Sequence, residues 1–261
     1  MKKFVSIIFC MLILLGLISA GVYAKSDSSD DVFVSIADEN GNLVLAYQSV
    51  PLSDADADGA LTVNDALSVA HKEYYRDGTN GFSSEKTQYG ISLTKLWGVA
   101  NGGAYGCFVN DVPALSYGDF VQPGDHIYAY IYTDMVGYSD VYGYFDQRTV
   151  TVDAGESVAL TLYMKDIWTS DISPVANAVI LINGEDAGVR TDENGKATVT
   201  VESRKDVVIS ARSEDHVLVP PVCVVSVNDF GRLLTLMWFA LICIVTAILG
   251  IFIMKKGSNH E

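Results

Sequence analysis

His126-Ile127-Tyr128-Ala129-Tyr130-Ile131-Tyr132 alternates without a break, and in a strand alternate residues share a face. Ile127, Ala129 and Ile131 fall on one side, and Tyr128, Tyr130 and Tyr132 on the other. The apolar set is expected to face a core. That leaves a tyrosine ladder directed at solvent or a partner, which Trp97, Tyr138, Tyr142 and Tyr144 extend. Trp97, Tyr128, Tyr130 and Tyr132 are therefore the candidate ligand-binding residues. Tyrosine also favours strands for ordinary packing reasons, so sheet composition alone is the competing explanation.

Upstream, Val32 to Ile36 reads as a strand, Asp38-Glu39-Asn40-Gly41 as a turn, and Leu43 to Val50 as the returning strand. Pro51 ends the pairing. The next stretch is Asp54-Ala55-Asp56-Ala57-Asp58-Gly59-Ala60-Leu61-Thr62-Val63-Asn64-Asp65. Carboxylates at its first, third, fifth and last positions, a glycine at the sixth and a hydroxyl at the ninth match what a calcium ion requires of a curled loop. Asp54, Asp56, Asp58, the Ala60 carbonyl, Thr62 and Asp65 are the candidate ligands, and Ca²⁺ the expected cofactor. A solvated acidic loop capping a helix would explain the aspartates but not their spacing with Gly59. Beyond the loop, Val63, Leu67, Ala70 and Tyr74 lie on one face of a helix. Asp77-Gly78 and Asn80-Gly81 break the chain. Ile91 to Trp97 is expected to form a short helix, and Tyr105 to Val109 a strand that turns at Asn110-Asp111.

From about residue 55 to 135 this order of elements resembles the β-grasp-like domain found at the C-terminus of transcobalamin and in many bacterial surface proteins. The resemblance is carried by the aromatic strand ending in Val109-Asn110 and by Val121-Gln122-Pro123-Gly124-Asp125-His126-Ile127-Tyr128. The family's usual glycine after Val-Asn is Asp111 here. The acidic loop and its helix resemble the calcium loop-helix of bacterial dockerins, an EF-hand-like unit. Dockerins carry that unit twice and this chain once, so only the metal-binding role carries over, and cohesin binding does not.

Downstream, short strands punctuated by Asn183-Gly184 and Thr191-Asp192-Glu193-Asn194-Gly195 predict a β-sandwich over 141–229. Ala176-Asn177-Ala178-Val179 and Gly195-Lys196-Ala197 are similar to the immunoglobulin-like or prealbumin-like repeats of bacterial surface stalks. Asp192 to Gly195 reads as a plain β-turn rather than a second metal loop. The expected fold class is thus an α+β outer module over 32–136, β-grasp-like with a calcium loop-helix, followed by the β-sandwich.

The termini set the expected location. Met1-Lys2-Lys3 precedes an apolar run to Ile18 and the small residues of Val22-Tyr23-Ala24, the pattern of a signal peptide over 1–24. Cleavage after Ala20 is the second choice. Leu233 to Met254 carries no charge and is followed by Lys255 and Lys256, which predicts one transmembrane helix over 233–254 with a cytoplasmic tail over 255–261. The expected product is a single-pass cell-membrane protein with its N-terminal body extracellular.

With 32 acidic against 17 basic residues and a net charge of −15, the surface disfavours nucleic acid as a partner. Cys107 and Cys223 fall in different modules and are expected to be buried thiols, a disulfide being the less favoured reading. No Gly-x-Ser-x-Gly elbow, phosphate loop or His-Glu-x-x-His helix occurs. His126, which opens its strand, is expected to serve packing rather than catalysis. The expected function is therefore non-enzymatic: calcium-dependent binding of an extracellular ligand or protein partner, in adhesion or as a scaffold. The transcobalamin resemblance implies an alternative, capture of a corrinoid-type small ligand at the cell surface.

Overall fold

The computed structural model describes residues 30–100, 102, 104–166, 169, 171–228 and 237–246. The first unit contains β1 (Asp31–Ala37), β2 (Leu43–Pro51), helix α1 (Val63–Tyr74), a 3₁₀ turn (Gly78–Gly81), β3 (Ser83–Thr87), β4 (Gly90–Lys95), β5 (Tyr105–Val109), β6 (Val112–Pro113) and β7 (His126–Ile131). The second contains β8 (Val141–Phe145), β9 (Thr149–Asp153), β10 (Ser157–Lys165), β11 (Ile172–Pro174), β12 (Val179–Ile182), β13 (Glu185–Arg190), β14 (Lys196–Thr200), β15 (Val207–Arg212), β16 (Leu218–Val219) and β17 (Cys223–Asn228).

In the first unit a mixed sheet runs β2-β1-β7-β5-β6. β1 and β7 pair in parallel, with Val34 opposite Ile127 and Ile36 opposite Ala129. Val32, Val34 and Ile36 join Ile127, Ala129 and Ile131 in one buried core, closed by Val63, Leu67 and Ala70 of α1. The alternation of these strands and the i, i+4, i+7 spacing of the helix put all of these residues on facing surfaces.

The second unit has two sheets. One runs β11-β10-β8-β16 with β14 also on β10, and the other runs β13-β12-β15-β17-β9. Leu160 and Leu162 of β10, Val199 of β14, Ile180 of β12, Ile209 of β15 and Val225 of β17 meet in a single core between them. Cys107 is buried in the first core and Cys223 in the second, and both are free thiols. Burial pushes the Cys223 thiol up to about 12, so it is a small hydrophobic residue rather than a nucleophile.

Three expectations are corrected. The fold class of an α+β outer module with a C-terminal membrane-crossing helix does not hold. The described chain is mostly β-sheet in several sheets, and its helix is confined to α1, one 3₁₀ turn and 237–246. Among the described residues no helix is long and apolar enough to cross a membrane. The signal peptide at 1–24, the flanks of the 233–254 stretch and the tail at 255–261 lie outside the described residues.

The second correction concerns Ile91 to Trp97. It is not a helix, for β3 and β4 form an antiparallel hairpin with Ser84 opposite Leu93 and Thr87 opposite Gly90. Gly90 takes φ +108° at its tip, and the β-branched and hydroxyl residues around it suit a pleated ribbon better than a helix.

The third concerns the tyrosine face of β7, which is not an open ladder directed at solvent. Tyr128 and Tyr130 are 1% exposed and Tyr132 is 8% exposed. The face is covered by the chain's own second unit, through Tyr142 of β8 and Val219 of β16, with Phe108 of β5 beside them. Phe108 and Tyr142 stack with ring centroids 3.8 Å apart, and the Tyr128 hydroxyl donates to the Pro220 carbonyl. A strand buried on both faces carries apolar side chains on one and hydrogen-bonded amphipathic ones on the other.

Candidate metal centre

The loop from Asp54 to Asp65 is held at its two ends before any ion is considered. At the exit, α1 begins with a capping box. Thr62 Oγ1 accepts from the Asp65 amide, and the Asp65 carboxylate accepts from the Thr62 amide, so two otherwise orphaned donors are satisfied. The next two amides, of Val63 and Asn64, donate to the carbonyls of Asp119 at 3.0 Å and Tyr117 at 2.8 Å. At the near end, Asp65 Oδ1 accepts from the amides of Ala55 at 2.8 Å and Asp56 at 3.3 Å. One fully buried carboxylate thus ties both ends of the loop together.

Between these anchors the chain curls so that its carboxylates converge. Asp54 accepts from the amides of Asp58 and Gly59, Asp56 from Asp58, and Asp58 from Ala60. Gly59 stands at φ +88° and Ala57 at φ +60°, and the glycine makes the sharper of these left-handed turns available without a Cβ penalty. Asp54, Asp56 and Asp58 each present a carboxylate oxygen within 4.8 Å of the others. All three are exposed, and together they could hold a metal ion.

The electrostatics favour a cation there. Loss of hydration and the negative charges of Asp58 and Asp65 raise the Asp56 carboxyl above its ordinary value. Lys86, from the β3–β4 hairpin, brings its ammonium to 3.4 Å from Asp58. An exposed pair of this kind is weak and is screened by salt.

Of the six expected ligands, the structure gathers Asp54, Asp56 and Asp58. It engages Thr62 and Asp65 with each other and with backbone amides, Thr62 Oγ1 donating to Asp65 Oδ2 at 2.6 Å. Ala60 lies in the loop beside Gly59, its amide bonded to Asp58. Hard cations take oxygen ligands, and the three converging carboxylates fit that requirement.

The expected ligand-binding aromatics divide. Trp97 is half-buried against the α1 side of the first core. Its ring meets His71 at 5.2 Å and Tyr75 at 5.1 Å, and its amide donates to His71 Nε2. Tyr128 lies under the second unit. Tyr130 and Tyr132 sit together, the Tyr130 hydroxyl donating to that of Tyr132 at 3.1 Å, and Tyr132 continues to Tyr138 at 5.1 Å.

Neither interior histidine is placed for acid–base work. His71 Nδ1 lies 2.6 Å from the Leu67 carbonyl and Nε2 takes the Trp97 amide, and burial lowers its value to about 4. His126 Nε2 lies 2.9 Å from Ser35 Oγ. Burial, with the Arg148 charge, lowers it to about 3. Ser35 is fully buried, so this Ser–His contact has no access for a substrate.

Asp111, which the sequence marks only as a departure from a turn glycine, joins the two units. Asp111 takes the Tyr142 hydroxyl on Oδ1 at 2.9 Å, pairs with Arg148, and accepts from Lys165 Nζ on its carbonyl at 2.8 Å. With the Tyr128–Pro220 hydrogen bond it anchors the two units to each other by polar contacts. The visible signal was its identity, an aspartate at a turn position where glycine costs least.

No family model matches the chain, and no curated protein matches it.

Proposed function

We propose that this chain is a calcium-stabilised binding protein of the extracellular space, without catalytic activity of its own. The observation that carries the calcium reading is the convergence of Asp54, Asp56 and Asp58 within 4.8 Å around a loop with Gly59 at φ +88°. Thr62, Asp65 and the Ala60 carbonyl are the further ligands of the loop spacing, and ligation by Thr62 and Asp65 exchanges part of the capping box for the ion. Calcium is the natural choice for an exposed, flexible, all-oxygen site, because magnesium demands tighter geometry and dehydrates reluctantly. The ion's role is structural. It neutralises three carboxylates that repel one another and locks the segment between β2 and α1.

A binding rather than catalytic role is supported by the two buried histidines: both ring nitrogens of His71 are held by internal contacts, and His126 bonds through Nε2 to the fully buried Ser35. The extracellular setting rests on the pattern from Met1 to Ala24, and it matches a loop of the affinity class of about 10⁻⁴–10⁻³ M. The partner is an extracellular ligand or protein. Corrinoid capture is a separate proposal that rests on resemblance alone, and a spectral titration with cobalamin decides it.

The test of the calcium reading is thermal melting of the full chain in EDTA and in 10 mM calcium chloride. For a site of that affinity, calcium should stabilise the protein by about 1.4–2.7 kcal/mol. This corresponds to a rise of roughly 3–10 °C in a protein of this size. Identical melting curves would overturn the reading, as would an equal shift from magnesium.

A further inference from the structure

A cavity of about 320 Å³ opens on the β5–β6 side of the first sheet. Its walls include Tyr89 of the β3–β4 hairpin, Leu115 and Tyr117 of the loop after β6, Tyr105 of β5, and Tyr130 and Tyr132 at the end of β7. Among the described residues no charged side chain lines it, in a chain that carries 32 acidic and 17 basic residues. Its volume lies at the low end of the ~300–1,000 Å³ typical of small-molecule sites, room for about one ring.

The cavity is built rather than incidental. Tyr130 reaches it by lying across Gly106, where an added Cβ would come within 2.1 Å of the ring. The mouth is fixed by Ser116, whose Oγ accepts from the amides of Ile91 at 3.1 Å and Gly118 at 3.0 Å. Gly90 leaves space for that hydroxyl, since a Cβ there would lie 2.5 Å from it. Tyr89 and Leu115 stand at the rim 84% and 94% exposed.

The hydroxyls point to what would fill it. That of Tyr117 is buried and has no hydrogen-bond partner among the described residues. An unpaired buried hydroxyl is costly and uncommon. Tyr130 donates to Tyr132, which leaves the Tyr132 proton without an acceptor among the described residues. Burial, followed by the proximity of Cys107, Tyr132 and Tyr105, raises the Tyr117 phenol well above its ordinary value. Burial raises Tyr132 as well, so both stay neutral donors. A ligand with a full charge would lose its hydration and find no counter-charge here.

We infer that this cavity binds a neutral, hydroxyl-bearing ring, a single pyranose unit of a glycan. Its oxygens accept from Tyr132 and, once the ligand's entry uncovers the buried hydroxyl, from Tyr117, and its C–H face lies against the exposed rings and side chains of the rim. The inference deepens the binding-protein reading and rests on it, but it does not depend on calcium.

The experiment is saturation-transfer NMR followed by titration of the full chain. The probes are the methyl glycosides of glucose, galactose, mannose and N-acetylglucosamine, with methyl glucuronoside and phenol as controls. At least one neutral glycoside should bind and the glucuronoside should not. Tyr117→Phe and Tyr132→Phe should each weaken binding about three- to tenfold, the worth of one hydrogen bond. Ser92→Trp, which fills the cavity from its β4 wall, should abolish binding while the melting temperature stays within a few degrees.

Binding by phenol alone, binding by no glycoside, or binding that both phenylalanine variants leave unchanged would overturn the inference. Repeating the titration in EDTA separates the two proposals. Retained glycoside binding with a calcium-independent melting curve would sink the calcium reading and leave this one standing.

Discussion

The acidic loop at 54–65 and the tyrosine face of β7 lie in one small unit and are stabilised by opposite means. The loop turns three carboxylates outward into water and draws its order from amides donated inward to them. The tyrosine face turns neutral phenols inward against a second sheet and draws its order from ring stacking and single hydrogen bonds. Charge repulsion in the loop is of the kind a counter-ion relieves, whereas the part of the face under β8 and β16 is closed by packing. A region finished by a solute should respond to solution conditions, and a region finished by packing should respond to truncation.

The largest effect should come from truncation on the dry side. Tyr142→Ala removes a ring stacked at 3.8 Å on Phe108 and the hydroxyl held by Asp111. It should cost about 3–5 kcal/mol and split urea unfolding into two transitions as the units uncouple. A single transition at the original midpoint would mean that the face does not join them.

On the wet side, Asp65→Ala deprives the amides of Ala55, Asp56 and Thr62 and the Thr62 hydroxyl of their acceptor. A loss of about 2 kcal/mol is expected in EDTA from the cap and its charged hydrogen bonds. The calcium-dependent rise in melting temperature should vanish as well. If calcium still shifts the variant's melting curve by the same amount, Asp65 has no part in holding the ion.

Acid should divide the two regions further. His126, beside Tyr128, and His71, on the buried face of α1, have folded-state values of about 3 and about 4, below the ordinary 6.5. The unfolded chain therefore binds their protons first. Their contribution to stability is intact above pH 6.5 and falls as pH drops toward 4, by about 1.4 kcal/mol per pH step for each ring. Their ring proton NMR signals should not titrate between pH 7 and 5.

Asp56 runs the other way. With a raised folded-state value, the metal-free protein binds its proton more tightly than the unfolded chain does. That carboxyl therefore weakens the metal-free fold as pH rises through its value, and calcium should cancel the effect. Melting curves in EDTA and in calcium across pH 4 to 6 measure the difference.

The smallest effect should be at Asp192, which caps the turn into β14 by accepting the amides of Asn194 and Lys196. Asp192→Ala should cost about 1 kcal/mol with or without calcium. A calcium-dependent cost there would mean that the second acidic turn also takes an ion.

Much of this contrast was legible along the chain. Asp38-Glu39-Asn40-Gly41 and Asp192-Glu193-Asn194-Gly195 read as turns. Both use the aspartate in the same way, accepting two amides within the turn and bonding its own amide to the carbonyl four residues on. Such local chemistry needs no knowledge of the rest of the fold. The alternation of β7 was equally plain, and its apolar half faces the core. What covers the tyrosine half was not legible, because an amphipathic ring suits water, a ligand or another sheet equally well, and residues of the second unit, from Tyr142 to Pro220, 92 positions from Tyr128, decide among them.

The β3–β4 hairpin was missed because Ile91, Leu93 and Leu96 fit two periods in so short a run. Asp111 was seen only as a departure at a turn, since its partners Tyr142, Arg148 and Lys165 come from the second unit.

The parallel pairings carry a consequence for synthesis. β1 pairs with β7, and β9 with β17, so each unit is sealed by joining one of its first strands to its last. β17 is an interior strand, flanked by β15 and β9. A ribosome-bound chain that ends before Cys223 therefore has a gap in that sheet, not a frayed border. Closure across such separations is slow, and the nascent second unit would spend its translation time with unpaired strand edges. A chaperone that shields extended segments would find its substrate there until β17 emerges.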